Sequence, residues 1–219
     1  MARKIPIGVL ISGGGTNLQA IIDAIEARSL DATIELVLSN KADARGLMRA
    51  RNHAIPTEVL EHRAFSSREA YDQAVVEKLR ARGVELVVLA GFMRLLSPLF
   101  VKAYSNRIMN IHPALLPAFP GLHVQKKALE HGVRFSGCTV HFVNEECDEG
   151  PIIIQAVVPV FSDDTEESLA ARILAQEHRI YPPAIQLYAE GRLHVVGRRV
   201  LVDGCEKDVA QVLVQPPLE

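Results

Sequence analysis

Asn110 and His112 have side chains suited to catalysis and lie two residues apart, in the stretch Asn110-Ile111-His112-Pro113 at the end of a predicted strand. Because side chains alternate along a strand, Asn110 and His112 share one face, and Pro113 ends the strand pairing. An isolated Asn or His here would more often be a satisfied turn residue. The pair, however, projects an amide and an imidazole at the edge where open α/β sheets bind ligands, which indicates a catalytic site.

An acidic turn at residues 144–150 separates the next two predicted strands. Taken alone, it is a solvated loop. A carboxylate near an imidazole, in contrast, stabilises the imidazolium and fixes the ring's tautomer. The turn therefore offers four candidate partners for His112, without deciding among them: Glu145, Glu146, Asp148 and Glu149.

A glycine-rich segment, SGGGTN at residues 12–17, follows the first predicted strand and opens the first predicted helix. Glycines let backbone N–H groups face a ligand, and a helix N-terminus attracts anions. The segment lacks the Lys-Ser/Thr pair of a P-loop. It also fails the GxGxxG fingerprint, because Leu18 replaces the third glycine, and Asn40 stands where a ribose-binding acid is expected. A phosphate monoester is favoured, and a plain tight turn is the alternative.

Glu177 falls on the apolar stripe of a predicted long helix, four residues after Ile173 and three before Ile180. An unpaired carboxylate on a core face costs several kcal/mol, so Glu177 must be paired, face a cleft, or meet a cationic ligand. A substrate amine and a basic side chain are equally good partners on these grounds.

The elements that position these residues follow from apolar periodicity. The i, i+3, i+4, i+7 spacing of apolar residues from Leu18 to Ile25 predicts the first helix. A second helix is predicted over 67–82, and a long one from about 165 that ends before Pro182 and Pro183. The predicted strands are 7–11, 34–38, 86–90, 108–111, 139–143 and 152–160, with a C-terminal hairpin at 193–196 and 200–202.

The alternation of the first four strands with helices predicts an α/β fold with an open, mostly parallel, doubly wound sheet. The two later strands are joined by a polar turn and form an antiparallel extension. We predict a single domain over 1–219, with a phosphate-binding half over about 1–105 and a catalytic half over about 106–191. The hairpin and tail, 192–219, have no predicted role.

Composition excludes several classes of protein. Lys and Arg number 24 against 26 Asp and Glu, which disfavours nucleic-acid binding. The apolar stretch near the N-terminus is too short for a signal or a membrane span. The cysteines, at 138, 147 and 205, are sparse and form no CxxC pair, which argues against disulfides and structural zinc and favours a reducing cytoplasm. The sequence contains neither a GxSxG nor an HExxH motif, so it gives no indication of a serine hydrolase or a zinc enzyme.

The chain resembles the phosphoribosylglycinamide formyltransferase family from about residue 7 to 191. The motifs that carry the resemblance occur in order: ISGGGTNLQAI, SNKADA, REAYD, VVLAGFMRLLSP, NIHPALLPAFPGLH, TVHFV, DEGPIIIQA and QEHRIYP. The resemblance implies a formyltransferase fold and formyl transfer from the cosubstrate 10-formyltetrahydrofolate to glycinamide ribonucleotide in purine synthesis. It implies no metal, only small-molecule partners, and a monomer or homodimer.

The same resemblance assigns roles to individual residues. The implied catalytic set is Asn110, His112 and Asp148. The implied ribonucleotide site is Gly15, Thr16 and Asn17 for the phosphate and Glu177 for the glycinamide end. The implied folate site is Arg68, Met93, Arg94, Leu95, Leu96, Asn110, Asn144, Glu145, Glu146, Cys147 and Asp148.

The chain departs from the family pattern at Ala114, where Ser is common, and at Cys147, where an aliphatic residue is usual. Formyltetrahydrofolate hydrolase and other amine formyltransferases share the implied catalytic set and are the alternatives. They are expected to differ in an added regulatory or tRNA-binding domain, which this chain is expected to lack. The other alternative is an NAD-dependent oxidoreductase or a nucleotide-sensing module. Either would need the third glycine of GxGxxG and an acid at the end of the second strand, where this chain has Leu18 and Asn40.

Overall fold

One sheet of nine strands organises residues 3–204, the part of the chain that the computed structural model describes. The strands are β1 Ile5–Ile11, β2 Ala32–Ser39, β3 Thr57–Val59, β4 Leu86–Leu89, β5 Ile108–His112, β6 Phe135–Phe142, β7 Ile152–Pro159, β8 Leu193–Val196 and β9 Arg199–Val202. Their order across the sheet is β3-β2-β1-β4-β5-β6-β7-β9-β8.

The first five strands are all parallel, and β6 pairs antiparallel with both β5 and β7. The predicted parallel sheet with an antiparallel extension is therefore confirmed. The predicted C-terminal hairpin is also present as β8 and β9, and β9 joins β7 through the single pair Ile152 and Arg199. Cys205 and the rest of the predicted tail lie outside the described residues.

Six α-helices lie within the described part of the chain: α1 Thr16–Glu26, α2 Arg45–Asn52, α3 Arg68–Ala81, α4 Pro98–Ala103, α5 Val124–Glu130 and α6 Glu166–Ala189. Helices α1, α2 and α6 pack against one face of the sheet and form one hydrophobic core with it. A second core packs α3 and α4 against the other face, as expected of a doubly wound fold. Between residues 3 and 204, none of these helices has the length and apolar character needed to cross a membrane.

The prediction that α6 ends before Pro182 is wrong, because the helix continues through Pro182 and Pro183 to Ala189. A proline inside a helix removes a hydrogen bond and costs about 3 kcal/mol. Pro182, Ala184 and Ile185 are buried, however, and the helix packs along α1 and β6. Burial of this apolar face offsets the local preference to stop, and it extends the helix beyond the site residue Glu177.

Five elements were not predicted from the sequence. They are the strand β3, the helices α2, α4 and α5, and a 3₁₀ turn at His62–Ala64. The α2 helix has no continuous apolar stripe in its sequence, and only Gly46, Leu47 and Ala50 are buried. Its formation depends on packing against α1 and β2 rather than on its own pattern. The helix matters because it lies next to the glycine-rich segment.

Candidate active site

The site lies where the direction of strand order reverses. The chain runs outward from β1 to β3 and then crosses to β4 on the other side of β1. Ser12, directly after β1, donates a hydrogen bond to Asn40 Oδ1 at 2.6 Å and accepts one from the Met93 N–H at 2.9 Å. This serine thereby ties together the carboxyl ends of β1, β2 and β4, the edge at which doubly wound sheets bind ligands.

The glycine-rich segment turns sharply into α1. Gly15 has a left-handed φ of 69° at the N-cap, and no side chain caps the first turn of the helix. The N–H groups of that turn are therefore available to an anion. From α2, the Gly46 N–H donates to Gly13 O at 3.0 Å and Arg49 Nε donates to Gly14 O at 2.9 Å.

Arg49 thus places a positive charge beside the loop, and sequence reasoning missed it because α2 was not predicted. An open groove of about 390 Å³ runs along α1 next to this loop and is lined by Thr16, Gln19, Ala20, Asp23, Arg49 and His178. A second hollow of about 330 Å³ touches Ile5 and Glu85, at the opposite, amino ends of β1 and β4. Only the first is at the edge where ligands are expected.

Asn17 and Glu177 meet across 160 residues of sequence, with Asn17 Nδ2 donating to Glu177 Oε2 at 2.7 Å. Glu177 is 7% exposed, and burial raises the pKa of its carboxyl, whereas the Asn17 hydrogen bond and the nearby His112 lower that pKa. The partner of Glu177 is therefore an amide rather than a basic side chain. The pairing joins the glycine-rich segment to the floor of the site.

Asn110 and His112 lie together at the end of β5, as predicted, and Asp148 is the carboxylate that reaches them. His112 Nδ1 lies 3.4 Å from Asp148 Oδ2, while His112 Nε2 lies 2.9 Å from the Phe119 carbonyl oxygen. Acceptors thus face both ring nitrogens, an environment that matches an imidazolium. The His112 side chain is 6% exposed, so its contact with Asp148 is shielded from water.

The backbone of the acidic turn aims Asp148 inward. Asp148 has a left-handed φ of 56°, and its Oδ2 accepts a hydrogen bond from the Gly121 N–H at 2.9 Å. Gly150 follows, where a Cβ would lie less than 2 Å from Phe142 O, so the turn can close tightly only with glycine. Glu145, Glu146 and Glu149 remain exposed and do not reach the imidazole.

Cys147 is exposed rather than packed, and its thiol donates to Asp148 Oδ2 at 3.5 Å. Partial desolvation of its sulfur and the adjacent Asp148 raise the pKa of this thiol, which keeps it neutral. Ala114, the other departure from the family pattern, is fully buried. Asn144 is half-buried, and its Oδ1 accepts from the Glu146 N–H at 3.2 Å, which shapes the start of the turn.

The predicted folate residues after β4 divide into two groups. Met93 and Leu95 are 64% and 59% exposed and present apolar surface, while Leu96 packs against the α3 core. The Arg94 guanidinium stacks 4.9 Å from the centre of the Tyr71 ring. Arg68 begins α3 and is exposed. The apolar members can line a cleft, whereas the Arg94 side chain is engaged with α3.

His141 belongs to the site and was missed as a partner of Asn110. The antiparallel register of β5 and β6 sets it directly opposite Asn110, with Asn110 Nδ2 and His141 Nε2 3.2 Å apart. His141 Nε2 also lies 3.8 Å from Asp148 Oδ1. The residue is 1% exposed.

Within residues 3–204, no group of three His, Cys, Asp or Glu side chains is arranged to hold a metal ion.

Comparisons with known proteins give consistent results. The formyl transferase family model matches residues 5–185. Phosphoribosylglycinamide formyltransferase of Escherichia coli strain K12 is 52% identical over 198 residues, covering 90% of this chain and 93% of that protein. The trifunctional purine biosynthetic protein adenosine-3 of Drosophila melanogaster is 51% identical over 191 residues, covering 86% of this chain and 14% of that protein. The crystal structure of glycinamide ribonucleotide transformylase 1 from Symbiobacterium toebii has a TM-score of 0.91 at 55% identity, covering 92% of this chain and 95% of that one.

Proposed function

The chain belongs to the formyl transferase family, and from that membership we propose that it transfers the formyl group of 10-formyltetrahydrofolate to the primary amine of glycinamide ribonucleotide. The products are formylglycinamide ribonucleotide and tetrahydrofolate, a step of purine synthesis. The observation that carries the proposal is the convergence of His112 and Asp148 with the buried Asn17–Glu177 pair, which adjoins the anion-binding start of α1.

The ribonucleotide phosphate binds at Gly15, Thr16 and Asn17, where the first-turn N–H groups of α1 face it and Arg49 supplies charge. Glu177 receives the glycinamide end, since its buried carboxylate accepts hydrogen bonds from an amine. The folate lies in a cleft formed by the segment after β4 and the acidic turn, with Met93 and Leu95 against its apolar parts.

In the reaction, the amine attacks the formyl carbon and a tetrahedral intermediate forms with negative charge on oxygen. The Asn110 amide donates a hydrogen bond to that oxygen. The His112 imidazolium also donates to it, and for this it gives up one of the two acceptors, Asp148 Oδ2 or Phe119 O, that face its nitrogens in the structure. Each well-placed donor contributes roughly 3 to 4 kcal/mol. Asp148 holds His112 in its charged form and orients the ring. A proton then moves from the attacking nitrogen to N10 of the departing folate, through His112 or a water. Direct attack needs no covalent enzyme intermediate and no redox cofactor.

The small-molecule substrates set the proposed context. The balanced charge disfavours nucleic-acid binding, and we expect a monomer or homodimer. Cys138 and Cys147 are free thiols, which suits a reducing cytoplasm, where we place the reaction.

A spectrophotometric assay for tetrahydrofolate tests the proposed function. Product is expected only when 10-formyltetrahydrofolate and glycinamide ribonucleotide are both present. Release of tetrahydrofolate at the same rate without the ribonucleotide would instead identify a hydrolase and overturn the proposal.

Asp148→Asn is expected to lower kcat by at least about a hundredfold, because the neutral amide no longer stabilises the imidazolium that donates to the oxyanion. Ribonucleotide affinity, measured by calorimetry, is expected to stay within about threefold, since Asp148 does not line the phosphate loop. Glu149→Gln is the control, as it removes a charge from the same turn at an exposed position. Equal kcat in Asp148→Asn and wild type would remove Asp148 from the mechanism.

A further inference from the structure

His141 is a buried histidine in contact with Asn110, a member of the proposed catalytic set, and the mechanism above gives it no task. Its two ring nitrogens have different neighbours. Nδ1 lies 2.9 Å from the Phe142 carbonyl oxygen, and Nε2 lies 3.2 Å from Asn110 Nδ2. Nε2 also lies 3.8 Å from Asp148 Oδ1, which is beyond hydrogen-bond distance. The two contacts within hydrogen-bond distance determine which nitrogen carries the proton.

A carbonyl oxygen can only accept, so the Nδ1 that faces Phe142 O must carry a hydrogen. Burial lowers the pKa of the His141 imidazole, and the ring is therefore neutral at pH 7. In a neutral ring with Nδ1–H, Nε2 has only a lone pair and can only accept. The opposite tautomer would place the Nδ1 lone pair against the carbonyl oxygen, which is repulsive.

The carboxamide of Asn110 is oriented by this lone pair. Its NH₂ group must face His141 Nε2, because the amide oxygen there would meet a second acceptor. One N–H of Asn110 then binds His141, and the other remains for the oxygen of the tetrahedral intermediate. The β5–β6 register keeps the two side chains opposite each other, so the orientation exists before substrate arrives.

We propose that His141 is a positioning residue which, as a fixed Nδ1–H tautomer, turns the Asn110 amide so that an N–H group faces the formyl oxygen. This role rests on the proposed function. It differs from that of His112, whose two nitrogens face two acceptors, the Phe119 carbonyl oxygen and Asp148 Oδ2. The two histidines thus have opposite hydrogen-bonding roles: His112 donates a hydrogen bond, and His141 accepts one from Asn110.

Kinetics of a double-mutant cycle test the role. His141→Leu removes the acceptor and is expected to lower kcat by about tenfold to a hundredfold, as a misplaced catalytic group does, with both KM values within about threefold. In an Asn110→Ala background the same substitution is expected to change kcat by less than about threefold, because its target is gone. An equal loss in both backgrounds would show a packing role only and overturn the proposal.

Val140→Ala is the matched control, since Val140 is the preceding residue of β6, is fully buried and points to the other face of the sheet. It is expected to lower stability while leaving kcat unchanged. A loss of kcat in Val140→Ala equal to that in His141→Leu would assign the effect to general disturbance of β6.

Nitrogen NMR of the wild-type chain tests the tautomer even if a variant fails to fold. A long-range ¹H–¹⁵N spectrum at neutral pH is expected to show His141 with a protonated Nδ1 and an unprotonated Nε2. Protonation at Nε2 would overturn the positioning role whatever the kinetics. This result is independent of the reaction, whereas absence of any formyl transfer by wild type would overturn the proposed function itself, so the two failures are distinguishable.

Discussion

Glu177 shows how burial governs a single carboxylate at this site. Desolvation raises the pKa of its side chain, and the hydrogen bond from Asn17 and the charge of His112 lower it, with desolvation the largest effect. Ionisation of this carboxyl in the folded protein therefore costs stability, and a cationic or hydrogen-bonding ligand can offset that cost. The proposed role of Glu177 in ligand binding would thus come at the expense of stability.

Glu177→Gln is expected to stabilise the folded chain at pH 8 by about 1 kcal/mol and to weaken ribonucleotide binding more than folate binding. Because the folded-state pKa is raised, wild type loses stability as pH rises from the ordinary carboxyl value of 4.5 through the folded value. The advantage of the Gln variant is thus expected to vanish at or below that ordinary value. Denaturant unfolding at several pH values measures it.

Glu166→Gln serves as the comparison, because it removes the same charge from an exposed position on the same helix. It is expected to leave ribonucleotide affinity unchanged. A Glu177→Gln variant that is less stable than wild type at pH 8, or that weakens folate binding more, would contradict the assignment.

At the scale of elements, α2 and the glycine-rich segment meet backbone to backbone. A Cβ at Gly15 would lie 2.6 Å from the Gly46 Cα, and Gly15 also has a left-handed φ of 69°. Two glycines facing each other allow α2 to approach the loop and Arg49 to reach Gly14 O. The proposed phosphate site therefore depends on a helix–loop contact as well as on the loop's own sequence.

Gly15→Ala is expected to destabilise the fold by about 1 to 3 kcal/mol, because the new methyl group meets backbone and the conformation is strained. Gly14→Ala is the matched control, since a Cβ there meets no atom within 4 Å. It is expected to stay within about 0.5 kcal/mol of wild type. Equal free energies of unfolding for the two variants would refute the close approach.

At the scale of the whole molecule, the sheet joins the two predicted halves without a break. The strands β4 and β5 pair directly, and the Tyr181 hydroxyl on α6 lies 3.0 Å from both Leu89 O and Met109 O, so its single hydrogen can be donated to either strand. The Asn17–Glu177 contact connects α1 to the same helix. A ligand held at this contact is therefore expected to stabilise the chain as one cooperative unit.

Glycinamide ribonucleotide at a hundred times its Kd is expected to stabilise the chain by about 2.7 kcal/mol, a Tm increase of roughly 5 to 10 °C for a chain of this length. NAD is expected to give no increase, since the loop lacks the third glycine and the strand-end acid. Thermal unfolding followed by circular dichroism measures both. A larger shift with NAD would favour the dinucleotide-binding alternative.

Local pattern determined much of this protein. The alternation of apolar strands with helices predicted the parallel sheet, and the period of two placed Asn110 and His112 on one face. The glycine-rich segment was recognisable at its strand–helix junction. These features depend on residues close in sequence, whose periodicity sets which way each side chain points.

The tertiary structure determined which residues contact the predicted site residues. Asp148 among four acids is selected by its left-handed backbone and the Gly121 N–H, and His141 is selected by the β5–β6 register. Arg49 reaches the loop only because α2 packs there. Helix α6 continues through Pro182 and Pro183 because Pro182, Ala184 and Ile185 are buried. Such contacts join residues 27 to 160 positions apart, and packing of the whole sheet, rather than local propensity, sets their geometry.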